Sequence, residues 1–536
     1  MKWIDMNYFS FDYNIKSDAS QLLTAAANRH GNKTALVDGE TRLTYVQMEK
    51  QVNRMANLLL RLTNGRTGAH VGLISTNSAN YLMLTFACAR ARMISVHINW
   101  RCSPAEMRYL IRNERCEILF YKIDREDWRA QVLTEFEKEL PMIGLAETDG
   151  SGCSPFHRLL MREDASPVRL EGSIDDVMTF YNTSGSSGVP KTAVYTHRIF
   201  LDKIAATIRA QGFITDMVFQ TMTQLFHAGS LGGYMCLACG GTLVMMRHFE
   251  ETDYLKCIVR DRVTRITLSP NVLQRLLDHP DFNRYDLSSL RIINCSMAPM
   301  PAALLDRLHV QMPQVQLLQI YGMTELCGAV TVLLPCQHAG GDDPRRFSVG
   351  QAIDGCKIRI ETPKGDLCSP GQVGEIAIQG VGLMTGYYQD PERTAYAMRG
   401  GWYHSEDMGY MDKDGFLYLK GRAHDMIITG GENVYPKEVE DVFYNHPDVR
   451  QICVFGVSSS LWGEAVVACV VPQDGCTADE ETFRCFARQH MAGYKVPKHI
   501  WLVNKLPVNS VGKVLRRLLA DKYGPLYQAE CEIIRH

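Results

Sequence analysis

The chain has 536 residues and a formal net charge of −2, so we expect more than one domain and find no electrostatic reason for it to bind nucleic acid. Its hydrophobic content of 46% is ordinary for a globular protein, and no run of about 18 apolar residues predicts a transmembrane helix. The first residues lack the apolar core of a signal peptide, and the 17 cysteines are scattered along the chain. We therefore expect a cytoplasmic protein with reduced thiols.

Helical and strand-like segments alternate over roughly the first 320 residues, a pattern that is typical of doubly wound parallel sheets. The residues between 122 and 173 are polar and poorly periodic, and we interpret them as a surface connection. The predicted early helices are Gln21–Arg29, Tyr45–Leu62, Ala79–Arg90 and Pro104–Arg112, and the predicted early strands are Val71–Ser75 and Ile94–Ile98.

The chain changes character after residue 350. Short strands and frequent Gly/Asp turns over 350–418 favour a small β-barrel or an antiparallel sheet. A compact unit of about a hundred residues follows Gly421. Its predicted strands and helices, ending in a basic helix over Val514–Lys522, indicate an α+β domain. We therefore divide the chain into residues 1–421 and 422–536.

The stretch Tyr181–Lys191 has the composition of a polyphosphate loop. Glycines let backbone N–H groups approach an anion, hydroxyls add donors and the lysine adds positive charge. A Ser/Gly-rich surface loop is the alternative. The pattern is not the Gly-x-x-x-x-Gly-Lys form, and more strand follows it, so we expect a loop between two strands. The candidate phosphate ligands are Thr183, Ser184, Gly185, Ser186, Ser187, Gly188 and Lys191.

The stretch Gln319–Glu325 carries a second set of useful groups. The ring of Tyr321 can stack on a purine, Thr324 offers a hydroxyl to phosphate, and Glu325 offers the hard oxygen that Mg²⁺ prefers. The alternative is an ordinary strand end that runs into a turn. Two other patterns are weak by themselves. His227 follows an aromatic residue, Phe226, and such a histidine is usually structural. Cys236 and Cys239 form a single Cys-x-x-Cys, which lacks the second pair of a zinc site.

These stretches, in this order, resemble the adenylate-forming superfamily, which includes acyl- and aryl-CoA ligases, adenylation domains of peptide synthetases and firefly luciferase. The resemblance spans roughly residues 20–520. It implies an α/β fold with a large N-terminal domain of two doubly wound α/β subdomains plus a small β-barrel. A small mobile α+β C-terminal domain would follow, with its hinge near His424.

The resemblance also implies a role for each matched residue. Tyr321 and the backbone of Ser296, Met297 and Ala298 would hold adenine, Asp407 and Arg422 the ribose, Thr324 the α-phosphate, and Glu325 the magnesium ion. His227 would orient the carboxylate or gate an acyl pocket that includes Ser230, Gly322 and Met323. Lys513 would bridge the carboxylate and the α-phosphate, and Gly430 and Gly431 would pass the thiol arm of coenzyme A.

Three positions depart from the family pattern. Met297 and Glu406 stand where the family more often has glycine, and His424 stands where the hinge residue is usually Asp or Lys. One interpretation of His424 is a hinge residue that changes its charge near neutral pH. The other is that any polar residue serves at the hinge.

The implied reaction has two steps that use ATP, Mg²⁺ and coenzyme A. A carboxylic acid first forms acyl-AMP and pyrophosphate, and a thiol then displaces AMP. The pocket would be lined by Phe226–Tyr234, Met297–Met300 and Gly322–Val330, and these segments contain no Lys, Arg or Asp to pair with the charges of an amino acid. This favours a fatty or aryl acid over an amino acid. The alternatives are an enzyme that loads a carrier-protein phosphopantetheine and a non-catalytic nucleotide sensor. The sensor is disfavoured because Lys513 and Glu325 are both present.

Overall fold

The computed structural model describes residues 15, 17–123, 132, 134–145, 154–183, 190–298, 300–338, 343–508 and 514–533. The helices in these ranges are α1 (Gln21–His30), α2 (Tyr45–Leu62), α3 (Ala79–Arg90), α4 (Pro104–Asn113), α5 (Pro155–Leu160), α6 (His197–Gln211), α7 (Leu231–Ala238), α8 (Glu251–Asp261), α9 (Pro270–Leu277), α10 (Ala302–Gln311), α11 (Pro391–Ala397), α12 (Pro436–Phe443), α13 (Glu480–His490) and α14 (Arg516–Ile533).

The strands of the N-terminal part are β1 (Thr34–Asp38), β2 (Thr41–Thr44), β3 (His70–Ser75), β4 (Ile94–His97), β5 (Ile118–Lys122), β6 (Met142–Gly144), β7 (Val177–Thr183), β8 (Lys191–Thr196), β9 (Val218–Thr221), β10 (Thr242–Met245), β11 (Arg265–Leu268), β12 (Ile292–Cys295), β13 (Gln316–Met323), β14 (Gly328–Leu333) and β15 (Gln351–Ala352). The later strands are β16 (Cys356–Glu361), β17 (Gly374–Gly380), β18 (Gly386–Tyr387), β19 (Tyr403–Met411), β20 (Leu417–Arg422), β21 (Ile427–Thr429), β22 (Glu432–Val434), β23 (Val449–Ser459), β24 (Gly463–Pro472) and β25 (His499–Leu502).

The early helices begin where their capping residues predict. The Thr44 side chain accepts from the backbone of Gln47, whose own side chain completes a capping box at the start of α2. Ser103 and Glu106 form the same motif at α4, where a proline occupies the first turn. Such caps satisfy backbone donors that have no partner inside the helix. The predicted bounds of α2 and α3 are confirmed.

The first sheet has the strand order β18-β8-β7-β4-β3-β5-β6. Its strands from β7 to β6 are parallel, whereas β8 pairs antiparallel with β7. The prediction that the Tyr181–Lys191 stretch connects two strands is therefore confirmed, although its first three residues and Lys191 belong to the strands themselves. The interpretation of 122–173 as a surface connection is wrong in part, because β6 extends this sheet and α5 buries Phe156. Both elements are too short to show a period.

The second sheet has the order β15-β14-β13-β12-β11-β9-β10-β1-β2, with parallel pairing from β13 to β1. The carboxyl ends of parallel strands meet at one edge of a sheet, which is where α/β proteins build ligand sites. The loops that follow β12 and β13 carry the predicted adenine, phosphate and magnesium residues. This edge therefore carries the candidate active site.

The stretch after residue 350 forms a four-stranded antiparallel sheet, β16-β17-β19-β20. The last unit is an α+β layer, as predicted, with β22-β21-β24-β23 joined by β25 on β24. Helices α12 and α13 pack on one face of it, and α14 packs on the other. The final helix begins at Arg516 and runs beyond the predicted Lys522. Within the described ranges, no helix combines the length and apolarity that a membrane crossing requires.

Candidate active site

Three side chains form a cluster between the second and third sheets, joined by one hydrogen bond and one ion pair. The Tyr321 hydroxyl donates to Oδ2 of Asp407 at 2.7 Å, and Arg422 Nε lies 3.0 Å from Oδ1 of the same carboxylate. Asp407 and Arg422 are cross-strand partners in β19 and β20. Burial, reinforced by Asp407, raises the pKa of Tyr321 well above its usual value, so the phenol stays protonated. Each carboxylate oxygen retains a second lone pair for a hydroxyl such as one of ribose.

Glu406 owes its position to the backbone. Its φ is 61°, a left-handed conformation that glycine adopts without strain. The pairing of β17 with β19 shifts register here, as in a β-bulge, and the Glu406 N–H donates to Oε1 of Glu375 at 3.2 Å. Bulges re-aim the neighbouring side chain, here Asp407. The glycine that the family more often has at this position therefore has a conformational reason.

The predicted adenine loop follows β12. Met297 has a φ of 72° and a side chain that is 43% exposed, so this departure from glycine is also strained. Gln319 donates from Nε2 to the carbonyl oxygen of Ala298 at 3.0 Å. Its Oε1 is buried and has no partner among the described residues. A buried unpaired amide oxygen beside this loop fits an N–H donor such as the amino group of adenine, and half-buried Ser296 begins the same loop.

The predicted phosphate and magnesium residues are held by two tyrosines. The Tyr195 hydroxyl donates to the backbone carbonyl of Thr324. The Tyr387 hydroxyl donates to Oε1 of Glu325 at 3.0 Å. Lys191 Nζ lies 5.4 Å from the centre of the Tyr387 ring. These contacts gather Thr324, Glu325 and the end of the predicted phosphate loop into one region.

The two ends of the predicted phosphate loop are adjacent. Thr183 and Lys191 are cross-strand partners in β7 and β8. Ser184, Gly185, Ser186, Ser187, Gly188 and Lys513 lie outside the described residues, and their roles stay predictions.

His227 lies at the start of the segment that leads into α7. Its Nε2 is buried without a partner in the described part of the chain. Burial, with a smaller effect of Arg101, lowers its pKa to about 4, so the imidazole is neutral near pH 7. Ser230, three residues later, is buried. The imidazole can donate or accept a hydrogen bond there, but it supplies no positive charge.

The segments predicted to line the acyl pocket contain small residues. Gly229 and Gly322 are exposed, and Met323 is half-buried. A Cβ on Gly322 would lie 2.1 Å from the carbonyl oxygen of Gly328, so β13 and β14 can approach each other only with glycine at this position. Gly322 therefore has a packing role whatever else it does.

The predicted hinge lies between two ion pairs. His424 is 46% exposed at its side chain, and its Nε2 lies 3.6 Å from Asp425. Arg422, two residues earlier, is bound to Asp407 as described above. Asp425 Oδ2 lies 3.0 Å from an Arg516 nitrogen, and a second nitrogen of that guanidinium lies 2.7 Å from Glu440. Arg516 thus ties the end of the hinge turn to α12.

Gly430 and Gly431 form the turn between β21 and β22. Their φ values are 60° and 86°, and the flanking residues Thr429 and Glu432 are paired. Two left-handed residues are what the favoured two-residue hairpin turn requires. A Cβ on Gly430 would approach the Trp462 ring to 3.3 Å, whereas one on Gly431 would meet nothing within 4 Å. The turn therefore presents an open face at Gly431.

Sequence reasoning gave no role to Gln319, Tyr195, Tyr387 or Arg516. Gln319 and Arg516 lie within stretches that the sequence already singled out, so their proximity to Tyr321 and Lys513 was a usable signal. Tyr195 and Tyr387 gave none, because each acts on a residue far away in the chain. Cys236 and Cys239 are buried, and burial raises the pKa of the Cys239 thiol to about 12, which disfavours a thiolate.

Two family models match the chain. Residues 23–388 match the AMP-binding enzyme family, and residues 438–513 match the AMP-binding enzyme C-terminal domain. The matches leave 389–437 between them, so the boundary at 421/422 stays a prediction.

The chain is also similar to individual proteins. It is 33% identical over 494 residues to a feruloyl-CoA synthase from an Amycolatopsis species, which covers 92% of this chain and 96% of that protein. It is 31% identical over 516 residues to an indoleacetate–CoA ligase from Aromatoleum aromaticum, with 94% and 99% covered. The structure of o-succinylbenzoate CoA synthetase (MenE) from Bacillus subtilis, in complex with an acyl-adenylate, matches with a TM-score of 0.81 at 26% identity, with 94% and 98% covered. The chain therefore belongs to the AMP-binding enzyme family, in its acyl- and aryl-CoA ligase branch, and is an ATP-dependent acid–thiol ligase that uses Mg²⁺ and coenzyme A.

Proposed function

We propose that this ligase activates a carboxylic acid that carries a ring, as an acyl adenylate at the edge of the second sheet. The observation that carries the proposal is the packing of the segment after His227 against the β13–β14 hairpin, which encloses the Thr324–Glu325 turn. A Cβ on Gly328, the cross-strand partner of Met323, would lie 3.6 Å from the Ala228 carbonyl oxygen and 3.1 Å from Leu231. Gly229 and Gly322 add no charge there, and the His227 imidazole is neutral because burial lowers its pKa. A feruloyl-CoA synthase and an indoleacetate–CoA ligase are among the relatives, which supports a ring acid over a straight chain.

In this proposal the nucleotide lies along β13 and the third sheet. The Tyr321 ring covers the adenine, and the free Oε1 of Gln319 accepts from its amino group. Asp407, aimed by the bulge at Glu406 and held by Arg422, accepts from the ribose hydroxyls. These groups are already oriented by one another, which lowers the entropic cost of positioning the nucleotide.

Adenylation brings two anions together, and the site's side chains must offset that charge. Lys191 and Thr183 frame the phosphate loop, and Thr324 offers its hydroxyl to the α-phosphate. Glu325 would hold Mg²⁺, which prefers hard oxygen ligands and would add positive charge at the phosphates. Lys513 would bridge the carboxylate and the α-phosphate as charge develops in the transition state. His227 would donate its N–H to the carboxylate and so orient the attacking oxygen.

The second half-reaction requires the C-terminal domain to turn. We place the pivot at Ala423 and His424, because Arg422 is bound on the N-terminal side and Asp425 on the C-terminal side. After the turn, Lys513 would leave and the Gly430–Gly431 turn would approach, with its open face at Gly431 toward the thiol arm. Hinge positions absorb backbone rotation and need no particular side chain, so a polar residue at 424 is sufficient.

The proposal is tested by pyrophosphate release from Mg·ATP with a panel of aryl, fatty and amino acids, each with and without coenzyme A. Release and thioester formation with ring acids support it. A preference for straight-chain fatty acids would refute the ring-acid assignment. Release without CoA-dependent thioester formation would point to the thiol of a carrier protein.

The assignment of the two half-reactions to two positions of the C-terminal domain has its own test. Lys513→Ala is expected to abolish carboxylate-dependent pyrophosphate release while leaving thioester formation from supplied acyl-AMP largely intact. An equal loss of both half-reactions would contradict the separate roles of the two faces of the C-terminal domain. The exposed neighbour Arg517 provides the control, and Arg517→Ala is expected to change neither half-reaction.

A further inference from the structure

Three buried hydroxyl groups where β7 meets the start of α7 have no hydrogen-bond partner in the described part of the chain. They belong to Tyr181, Ser230 and Tyr234, whose exposed fractions are 0%, 2% and 0%. We call them the hydroxyl cluster. A buried hydroxyl without a partner destabilises the fold, because it loses its hydrogen bonds to water and gains none in return. Three of them close together therefore need a common explanation.

The three hydroxyls face one another from two elements. Tyr181 lies on β7, Ser230 lies directly before α7, and Tyr234 follows Ser230 by four residues on the same helical face. The Ser230 hydroxyl lies close enough to Tyr181 to lower its pKa, and the hydroxyls of Thr85 and Tyr181 do the same to Tyr234. None of the three cluster hydroxyls, however, has a partner with good hydrogen-bond geometry. The cluster therefore leaves donors and acceptors for a third group.

Neighbouring rings fix the two tyrosines. The Tyr181 ring stacks on His97 with centroids 4.5 Å apart and an interplanar angle of 8°. Tyr234 packs against Phe86 and Phe200, with centroids 5.4 and 5.3 Å away. Tyrosine has few rotatable bonds, so these contacts leave the hydroxyls little freedom to find other partners. They are positioned before any ligand arrives.

The cluster lies at a suitable depth for one end of a ring acid. Tyr181 and Thr183 point to the same face of β7, because side chains alternate along a strand, and two residues span about 7 Å. Thr183 borders the phosphate loop, where the carboxylate must react. A ring with the carboxylate at one end would bring its far substituent near Tyr181. Ser230 continues the segment that begins at His227.

We propose that the hydroxyl cluster binds an uncharged polar substituent, such as a hydroxyl, an ether or a carbonyl oxygen, on the far side of the substrate ring. This assignment rests on the proposed function of the opening as the acyl pocket. A charged substituent is excluded, because it would lose its hydration on burial and these three side chains carry no opposite charge to compensate. Burial raises the pKa of both phenols, so the cluster itself stays neutral.

The test compares paired acids that differ by one hydroxyl: 4-hydroxybenzoate with benzoate, and 4-hydroxycinnamate with cinnamate. The readout is kcat/KM for pyrophosphate release by the full chain. The wild type is expected to prefer the hydroxylated member of at least one pair by about tenfold or more, the value of one good hydrogen bond. Tyr234→Phe, Tyr181→Phe and Ser230→Ala are each expected to reduce that ratio, chiefly through a higher KM for the hydroxylated acid.

Tyr254→Phe is the matched control, since Tyr254 also has a buried hydroxyl without a described partner but belongs to a different core cluster. It is expected to leave the ratio unchanged. Equal losses for both members of each pair in the cluster variants would overturn the proposal and indicate that ordered water satisfies the hydroxyls. A wild type with no preference for the hydroxyl would also overturn it. If no ring acid triggers release while a fatty acid does, the proposed function fails instead. Thermal midpoints identify a variant that has lost its fold, and the other two variants then decide.

Discussion

Arg516 holds the C-terminal domain to its own hinge turn, and its removal gives the sharpest prediction about stability. The guanidinium donates to the Val454 carbonyl at 2.9 Å and lies 3.0 and 2.7 Å from the carboxylates of Asp425 and Glu440. The side chains of these two acids are only 21% and 13% exposed. Arg516→Ala would leave both carboxylates partly buried without their positive partner.

The expected cost is about 3 kcal/mol in the free energy of unfolding of the C-terminal domain. Breaking a buried ion pair by removing one member costs about 3–5 kcal/mol, and the lower end applies because 26% of the Arg516 side chain is still exposed. The two acids repel each other once the arginine is gone, which adds to the loss. The effect should be greatest in β23, α12 and the hinge turn, all of which the guanidinium contacts.

Hydrogen exchange followed by mass spectrometry measures this effect in the full chain, because it reports opening of individual segments without assuming a two-state transition. Protection of peptides over β23 and α12 should fall by about two orders of magnitude, while the first and second sheets keep theirs. Arg517→Ala, an exposed change next to it, should leave the exchange unaltered. A loss below about 0.5 kcal/mol at Arg516→Ala, the size of an ordinary surface change, would refute the reasoning.

Gly431→Asn should slow thioester formation while leaving adenylation intact, because asparagine tolerates a positive φ and its side chain would enter the open face of the turn. Gly415→Asn, at a similar φ in the turn between β19 and β20, is the control, and equal effects of the two changes would remove the Gly430–Gly431 turn from the thiol path. Glu406→Gly should be about 1 kcal/mol more stable than Glu406→Ala in urea unfolding, since only glycine is unstrained at this φ; equal stabilities would contradict the strain. Burial lowers the pKa of His338 to about 4 from 6.5, so the unfolded chain binds the proton first as the pH falls. Between pH 6.5 and 4 this histidine therefore lowers the free energy of unfolding by about 1.4 kcal/mol per pH unit. His338→Gln should make the plot of unfolding free energy against pH shallower by that amount, and an unchanged slope would show that the imidazole is not buried neutral.

The sequence predicts best what is local and periodic. The bounds of α2 and α3 follow from caps and spacing, and the candidate nucleotide residues lie in short motifs whose side chains have recognisable chemistry. Two backbone conformations could not be predicted. Met297 and Glu406 were visible only as departures from glycine, and their positive φ depends on how β12, β17 and β19 meet. A dihedral angle imposed by tertiary packing leaves no trace in composition.

The tyrosines that hold the Thr324–Glu325 turn were invisible for another reason. Tyr387 belongs to β18, a strand of two residues, which is too short for any period to reveal. Tyr195 lies in a predicted strand, but its partner is a backbone carbonyl 129 residues away. A single hydroxyl whose role depends on such a contact resembles any other tyrosine. Sequence motifs therefore reveal the residues that bind a ligand more readily than the residues that hold those binding side chains in place.

The two ion pairs on either side of His424 connect these findings to the reaction. Arg422 is bound by the same carboxylate that we assign to ribose, while Asp425 is bound by Arg516, three residues after the proposed catalytic lysine. A rotation between them would leave the ribose contact with the N-terminal domain and carry the Lys513 segment with the C-terminal domain. Only the two residues between the pairs need to change their backbone angles. The nucleotide could then stay bound while the lysine is exchanged for the Gly430–Gly431 turn, which is what a two-step ligase with one nucleotide site requires.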